Sequence, residues 1–155
     1  MNSEAFLKNH YMPAMRSIAA DQKPKWGLMD TQNMVEHMAD AFRNANGKIV
    51  YTGILTQEER IPKMQEFIMS DKEFKENTKN LLLPDQPLPH RHGNLDDALA
   101  ELDTEVNDFL QLFDRQPELI IRNPFFGDLD FEHWKALLVK HALHHLRQFG
   151  VKPDF

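Results

Sequence analysis

No cysteine occurs in this chain. Disulfides, thiolate metal ligands and any mechanism that uses the protein's own thiol are therefore excluded. Long basic runs are missing too, and 24 acidic against 18 basic residues leave a formal net charge of −6. A nucleic-acid backbone is not an expected partner for such a chain. No stretch is apolar for long enough to span a bilayer, and the opening MNSEAFLKNH lacks a signal-peptide core. The expectation is a soluble, cytoplasmic protein with no membrane partner. Glycine is scarce, and none of it forms a phosphate-cradling loop; no serine stands in a nucleophile-elbow setting. Strand signals are thin. Only residues 49–55 (IVYTGIL) combine β-branched and aromatic side chains, and Gly53 interrupts them.

What remains is helical. The 155 residues, 41% of them apolar, suit one domain over 1–155 with a real core. A first helix is expected from a cap at Ser3 toward Ala20, bent or restarted at Pro13. A second runs from an Asp30 cap to Gly47, with Met34, Met38, Ala41, Phe42 and Ala45 as its apolar stripe. A third lies within residues 56–71, where Thr56 and Glu59 have capping-box spacing and Pro62 marks a later start. Residues 72–93, with LLLPDQPLPHRHG, read as a long irregular crossover. Beyond it, Leu95, Leu99, Leu102, Val106, Phe109, Leu110 and Phe113 turn inward on a strong amphipathic helix. The final helix starts at an Asp130 cap, with Leu129 and Trp134 spaced as a hydrophobic staple, and ends at Gly150 ahead of Pro153. Together these elements predict an all-α four-helix bundle with one long crossover connection.

Eight histidines stand out, three of them in HALHH near the C-terminus. At ~100° per residue, Phe131, Trp134, Leu138, Ala142, His145 and Phe149 share one side of the last helix, His141 borders it, and Lys140 and Arg147 point away. His141 and His145 are one turn, ~6 Å, apart along the axis, so their imidazoles can converge on one ion. An unpaired polar ring on an apolar face is costly, which favours ligation over a lone core histidine. His37, beside the Met34/Met38 stripe of the second helix, offers a third ligand. Its flank carries Asp30, Asn33, Asp40 and Asn44; the last helix offers His144 and Gln148 beside its own stripe. If these seams face each other they enclose a polar pocket; the alternative is two solvated helix edges. Three neutral imidazoles leave a coordination position open, and zinc, nickel or iron accepts such a set. Asn33, Asp40 and Gln148 are candidate partners for the free ring nitrogens, and His144 for the pocket rim. No catalytic residue is assigned. His90 and His92 flank Arg91 in the crossover, where exposure is expected, while Trp26, Phe125 and Phe126 lie on connectors as core or as substrate walls.

The last helix, HWKALLVKHALHHLRQFG, resembles the closing segment of the DinB/YfiT-like superfamily of four-helix bundles. Those proteins place one histidine on the second helix and an H-x-x-x-H pair on the last. His37 in NMVEHMADAF matches the first; His141 and His145 match the pair. His144, Arg147 and Gln148 reproduce the surrounding string with one residue shifted. PKWGLMDTQNMVEHMADAFRNANG and LLLPDQPLPHRHGNL resemble an uncharacterised branch of that superfamily. The resemblance implies a divalent metal on the three histidines and a homodimer. Some relatives transfer or isomerise with a low-molecular-weight thiol such as bacillithiol, mycothiol or glutathione, and others are described as metal-dependent hydrolases. A small-molecule substrate follows from either chemistry. Thiol transfer is the first expectation, because no glutamate is spaced as a general base. A metal-dependent hydrolase, a non-catalytic binding module for stress response, and a purely structural bundle are the competing readings.

Overall fold

In the computed structural model, which describes residues 2–78 and 80–152, the chain is mostly helical with one small hairpin. Its elements are α1 (Ser3–Asn9), α2 (Tyr11–Arg16), α3 (Thr31–Ala45), a 3₁₀ turn (Glu58–Arg60), α4 (Ile61–Met69), α5 (Leu95–Arg115), β1 (Ile121–Asn123), β2 (Gly127–Leu129) and α6 (Phe131–Gln148).

Local chemistry accounts for the boundaries. Asn2, not Ser3, caps α1: its side chain accepts from the Ala5 N–H at 3.0 Å. Asn and Ser cap about equally well, so sequence leaves a one-residue ambiguity there. Pro13 has no N–H for the Asn9 carbonyl, so the chain breaks at His10 and restarts as α2, which ends at Arg16 short of Ala20. The proposed Thr56/Glu59 box does not form. The α-helix starts at Ile61, with Pro62 in its first turn, where a missing N–H does no harm. Asp30 caps α3 in a reciprocal box with Asn33. Asn94 and Asp130 cap α5 and α6.

Both helices that carry the candidate ligands end alike. In α6 the Val151 N–H reaches the Leu146 carbonyl at 2.8 Å and the Gly150 N–H reaches Arg147 at 3.0 Å. Gly150 stands at φ +78°, a left-handed position that closes such a motif with no Cβ penalty. Gly47 closes α3 in the same way. Pro153 lies outside the described residues.

The strands correct the sequence reading. Residues 49–55 form no strand; pairing occurs instead between β1 and β2, antiparallel, with Arg122 opposite Asp128. Asn123 Oδ1 accepts from the Phe125 and Phe126 N–H groups and builds the turn. The 49–55 segment runs beside this hairpin, joined by Leu55 N–H to the Pro124 carbonyl (2.7 Å) and by Arg122 to the Thr52 carbonyl. Trp134 Nε1 donates to the Ile121 carbonyl at 3.0 Å and ties the hairpin to α6.

Packing centres on α3 against α5 and on α6, which touches α1, α2, α3 and α4. Phe6, Tyr11, Met34, Met38, Phe42, Leu102, Phe109, Phe113, Trp134 and Phe149 fill the core. Leu95 and Leu110 are only half-buried at its edge. The face of α6 opposite its stripe is covered, contrary to a one-sided reading. Lys140 donates to the Ser70 and Lys72 carbonyls and lies over the Phe67 ring, and Arg147 pairs with Glu73. No helix among the described residues is long and apolar enough to cross a membrane.

Candidate metal centre

α3 and α6 bring three imidazoles to one point. His37 Nε2 lies 3.1 Å from His141 Nε2, which lies 3.0 Å from His145 Nε2. The three rings stand 4.8–5.0 Å apart, centre to centre. His141 and His145 converge because they are one helical turn apart; His37 joins them because α3 packs across α6. His145 is buried, whereas His37 and His141 are half-buried as residues.

Burial also sets the charge. Removal from water pushes His37 down to about 4, with a smaller opposing pull from Asp40. It holds His141 and His145 well below the usual histidine range, and the neighbouring imidazoles add to the effect. All three rings are therefore neutral at neutral pH, the state in which imidazole offers a lone pair.

The nitrogen atoms fit a cation. His141 Nε2 lies within hydrogen-bonding distance of both other nitrogens, yet a neutral ring nitrogen has either one proton or one lone pair. It completes one good hydrogen bond, not two. A positive ion satisfies all three at once. A tetrahedral ion with Zn–N bonds of ~2.0–2.1 Å sets its ligand atoms ~3.3 Å apart, close to the spacings here. Among the described residues, these three histidines are the group whose ligand atoms gather within 4.8 Å.

The surrounding residues divide into two sets. Gln148 is at the site, its Oε1 2.7 Å from His145 Nδ1. His144 is buried rather than on a rim; its ring packs on His145, Trp26 and Phe74, and its Nδ1 has no hydrogen-bond partner among the described residues. Burial lowers its pKa as well. Asn33 and Asp40 are committed elsewhere. Asn33 binds the Asp30 backbone and the Leu88 carbonyl, and Asp40 pairs with Arg91 and Arg43. Asn44 donates to the Arg122 carbonyl. The polar flank of α3 thus holds the crossover. Glu36 accepts from the Arg91 and His92 N–H groups at 2.6 and 2.9 Å, and Gln32 donates to the His92 carbonyl. His90 pairs with Asp30 and His92 with Glu101, away from the cluster.

Two contributors escaped sequence reasoning. Phe74 places its ring 6.0 Å from that of His141 and 5.9 Å from that of His144, with Phe67 and Phe126 behind it. Its one signal is a lone aromatic in the polar run DKEFKE. Glu36 adjoins His37 but looks like any exposed helix glutamate until the crossover is placed.

A family model described as the DinB superfamily matches residues 19–149, a stretch that includes all three converging histidines. Comparisons with curated proteins and with solved structures gave no match. The chain belongs to the DinB superfamily.

Proposed function

We propose that this protein is a metal-dependent enzyme that joins a low-molecular-weight thiol to a small electrophile, with His37, His141 and His145 holding a divalent zinc, nickel or iron ion. The observation that carries the reading is the meeting of three neutral imidazole nitrogens, two of them on half-buried residues. A cation so held supplies Lewis acidity, keeps a position for an outside ligand and lowers the pKa of a thiol placed there. The protein's own residues do the rest. Gln148 steadies His145, while Trp26 and Phe74 give the neighbourhood apolar walls. Cysteine is absent, so the nucleophilic sulfur comes from outside the chain.

Thiol transfer is favoured over hydrolysis because the acidic groups of α3 are already engaged. Asp30 caps the helix, Glu36 holds two backbone amides and Asp40 pairs with two arginines, which leaves none of them free to deprotonate water. The reading assumes one domain over 1–155. It also assumes a four-helix bundle of DinB type, supported by the mutual packing of α1–α2, α3, α5 and α6, and a homodimer, which light scattering checks.

The test is kinetic. Protein purified without chelator or nickel resin is loaded with each metal and offered a chloroarene or an epoxide, with and without thiols. Thioether formation that needs both metal and thiol, and that disappears in His37→Ala, His141→Ala and His145→Ala together with the metal, is the expected result. Product formed without thiol assigns a hydrolase instead. Metal binding without turnover leaves a binding module, and equal metal content in wild type and the three variants rejects the site.

A further inference from the structure

The hold on His145 extends to a connector far away in sequence. Gln148 is only 3% exposed, and the connector between α2 and α3 grips it twice. Its side-chain Nε2 donates to the Trp26 carbonyl at 2.9 Å, and its backbone carbonyl accepts from the Lys25 N–H at 2.7 Å. Gly27 completes the turn at φ +77°, and a Cβ added there would lie 3.0 Å from Gln148 Nε2. The close approach therefore requires glycine both for its backbone and for its missing side chain.

These contacts fix a proton. The Trp26 carbonyl can only accept, so the NH₂ side of the Gln148 amide faces it and Oε1 faces His145. Oε1 can only accept, so His145 Nδ1 carries the hydrogen. A neutral imidazole with Nδ1–H keeps its lone pair on Nε2, the atom directed at His141.

We propose that the Lys25–Gly27 turn is the outer clamp of the three-histidine site. By locking the Gln148 amide it selects the His145 tautomer before any ion arrives, and so raises affinity for a divalent cation. The tautomer half stands on hydrogen bonding alone; the affinity half rests on the metal reading above. Trp26 and Gly27 are positioning residues here, acting on the ion only through Gln148 and His145.

Long-range proton–nitrogen correlation spectra of the chelator-treated full chain test the first half. His145 should show a protonated Nδ1 and a bare Nε2 in wild type. Gln148→Leu should give a tautomer mixture, and Gln148→Glu, which keeps an acceptor toward Nδ1, should restore the wild-type pattern. Gly27→Ala should shift His145 toward the mixture by displacing the amide. Zinc affinity, measured by competition with a chromogenic chelator, should weaken about 10–100-fold in Gln148→Leu and Gly27→Ala, and far less in Gln148→Glu. A protonated Nε2 in wild type, or a Gly27→Ala protein with wild-type tautomer and zinc affinity, overturns the clamp. Failure of wild type to bind zinc, nickel or iron would refute the metal reading, and the spectra would still decide the clamp.

Discussion

At the scale of single residues, burial decides what the cluster can do. Burial pushes His37 from the ordinary histidine value of ~6.5, which it has in an unfolded chain, down to about 4 in the folded one. A group whose pKa is lowered by folding binds fewer protons in the native state than in the unfolded state. The contribution of His37 to the stability of the metal-free protein is therefore fully present above ~6.5 and is lost as pH falls through the interval down to about 4. His141 and His145 shift in the same direction and steepen the loss. Melting temperatures of chelator-treated protein should fall across that interval, and less steeply in His37→Gln; identical profiles for the two proteins would contradict the burial argument. Much of this was legible in the sequence. The i, i+4 spacing placed His141 and His145 together, and the stripe of Met34 and Met38 placed His37 at its edge. The roles of Asn33 and Asp40 were not legible. Their partners, the Leu88 carbonyl and Arg91, arrive from the crossover, and no periodicity tells where an irregular segment will lie.

At the scale of elements, α3 works on two sides. One side supplies His37; another, through Gln32, Asn33, Glu36 and Asp40, seats residues 88–92. Glu36 is the centre of that seat. It is buried and satisfies two backbone amides, which hold its carboxyl below the usual range despite the opposing effect of burial. Glu36→Ala leaves both part-buried amides without this acceptor, at a cost of ~1 kcal/mol because water can replace it in part. Hydrogen exchange at the Arg91 and His92 amides should accelerate accordingly, while α5 amides stay protected; unchanged exchange at 91 and 92 would refute the seat. The ends of α3 and α6 were the most readable, because Asp30, Asp130, Gly47 and Gly150 each carry a local mechanism. The hairpin was the least readable. Its strands are three residues long, too short for a period of two to register, and its turn is built by Asn123 rather than by an Asn-Gly pair.

At the scale of the whole molecule, site and stability are linked. A ligand that binds only the folded state adds stability by mass action, about 2.7 kcal/mol at a hundredfold excess over its Kd. Removal of metal should thus lower the melting temperature, and titrating zinc back should raise it progressively in wild type but not in His145→Ala. A melting temperature indifferent to zinc would count against the site. His37 and His141 are 104 residues apart in sequence, on α3 and α6. A cation shared between them would close a loop of that length, a cross-link that in chain-entropy terms resembles a disulfide over ~100 residues, worth ~4–5 kcal/mol. The chain has no cysteine with which to make such a staple covalently. It would have instead one that chelation or acid can open.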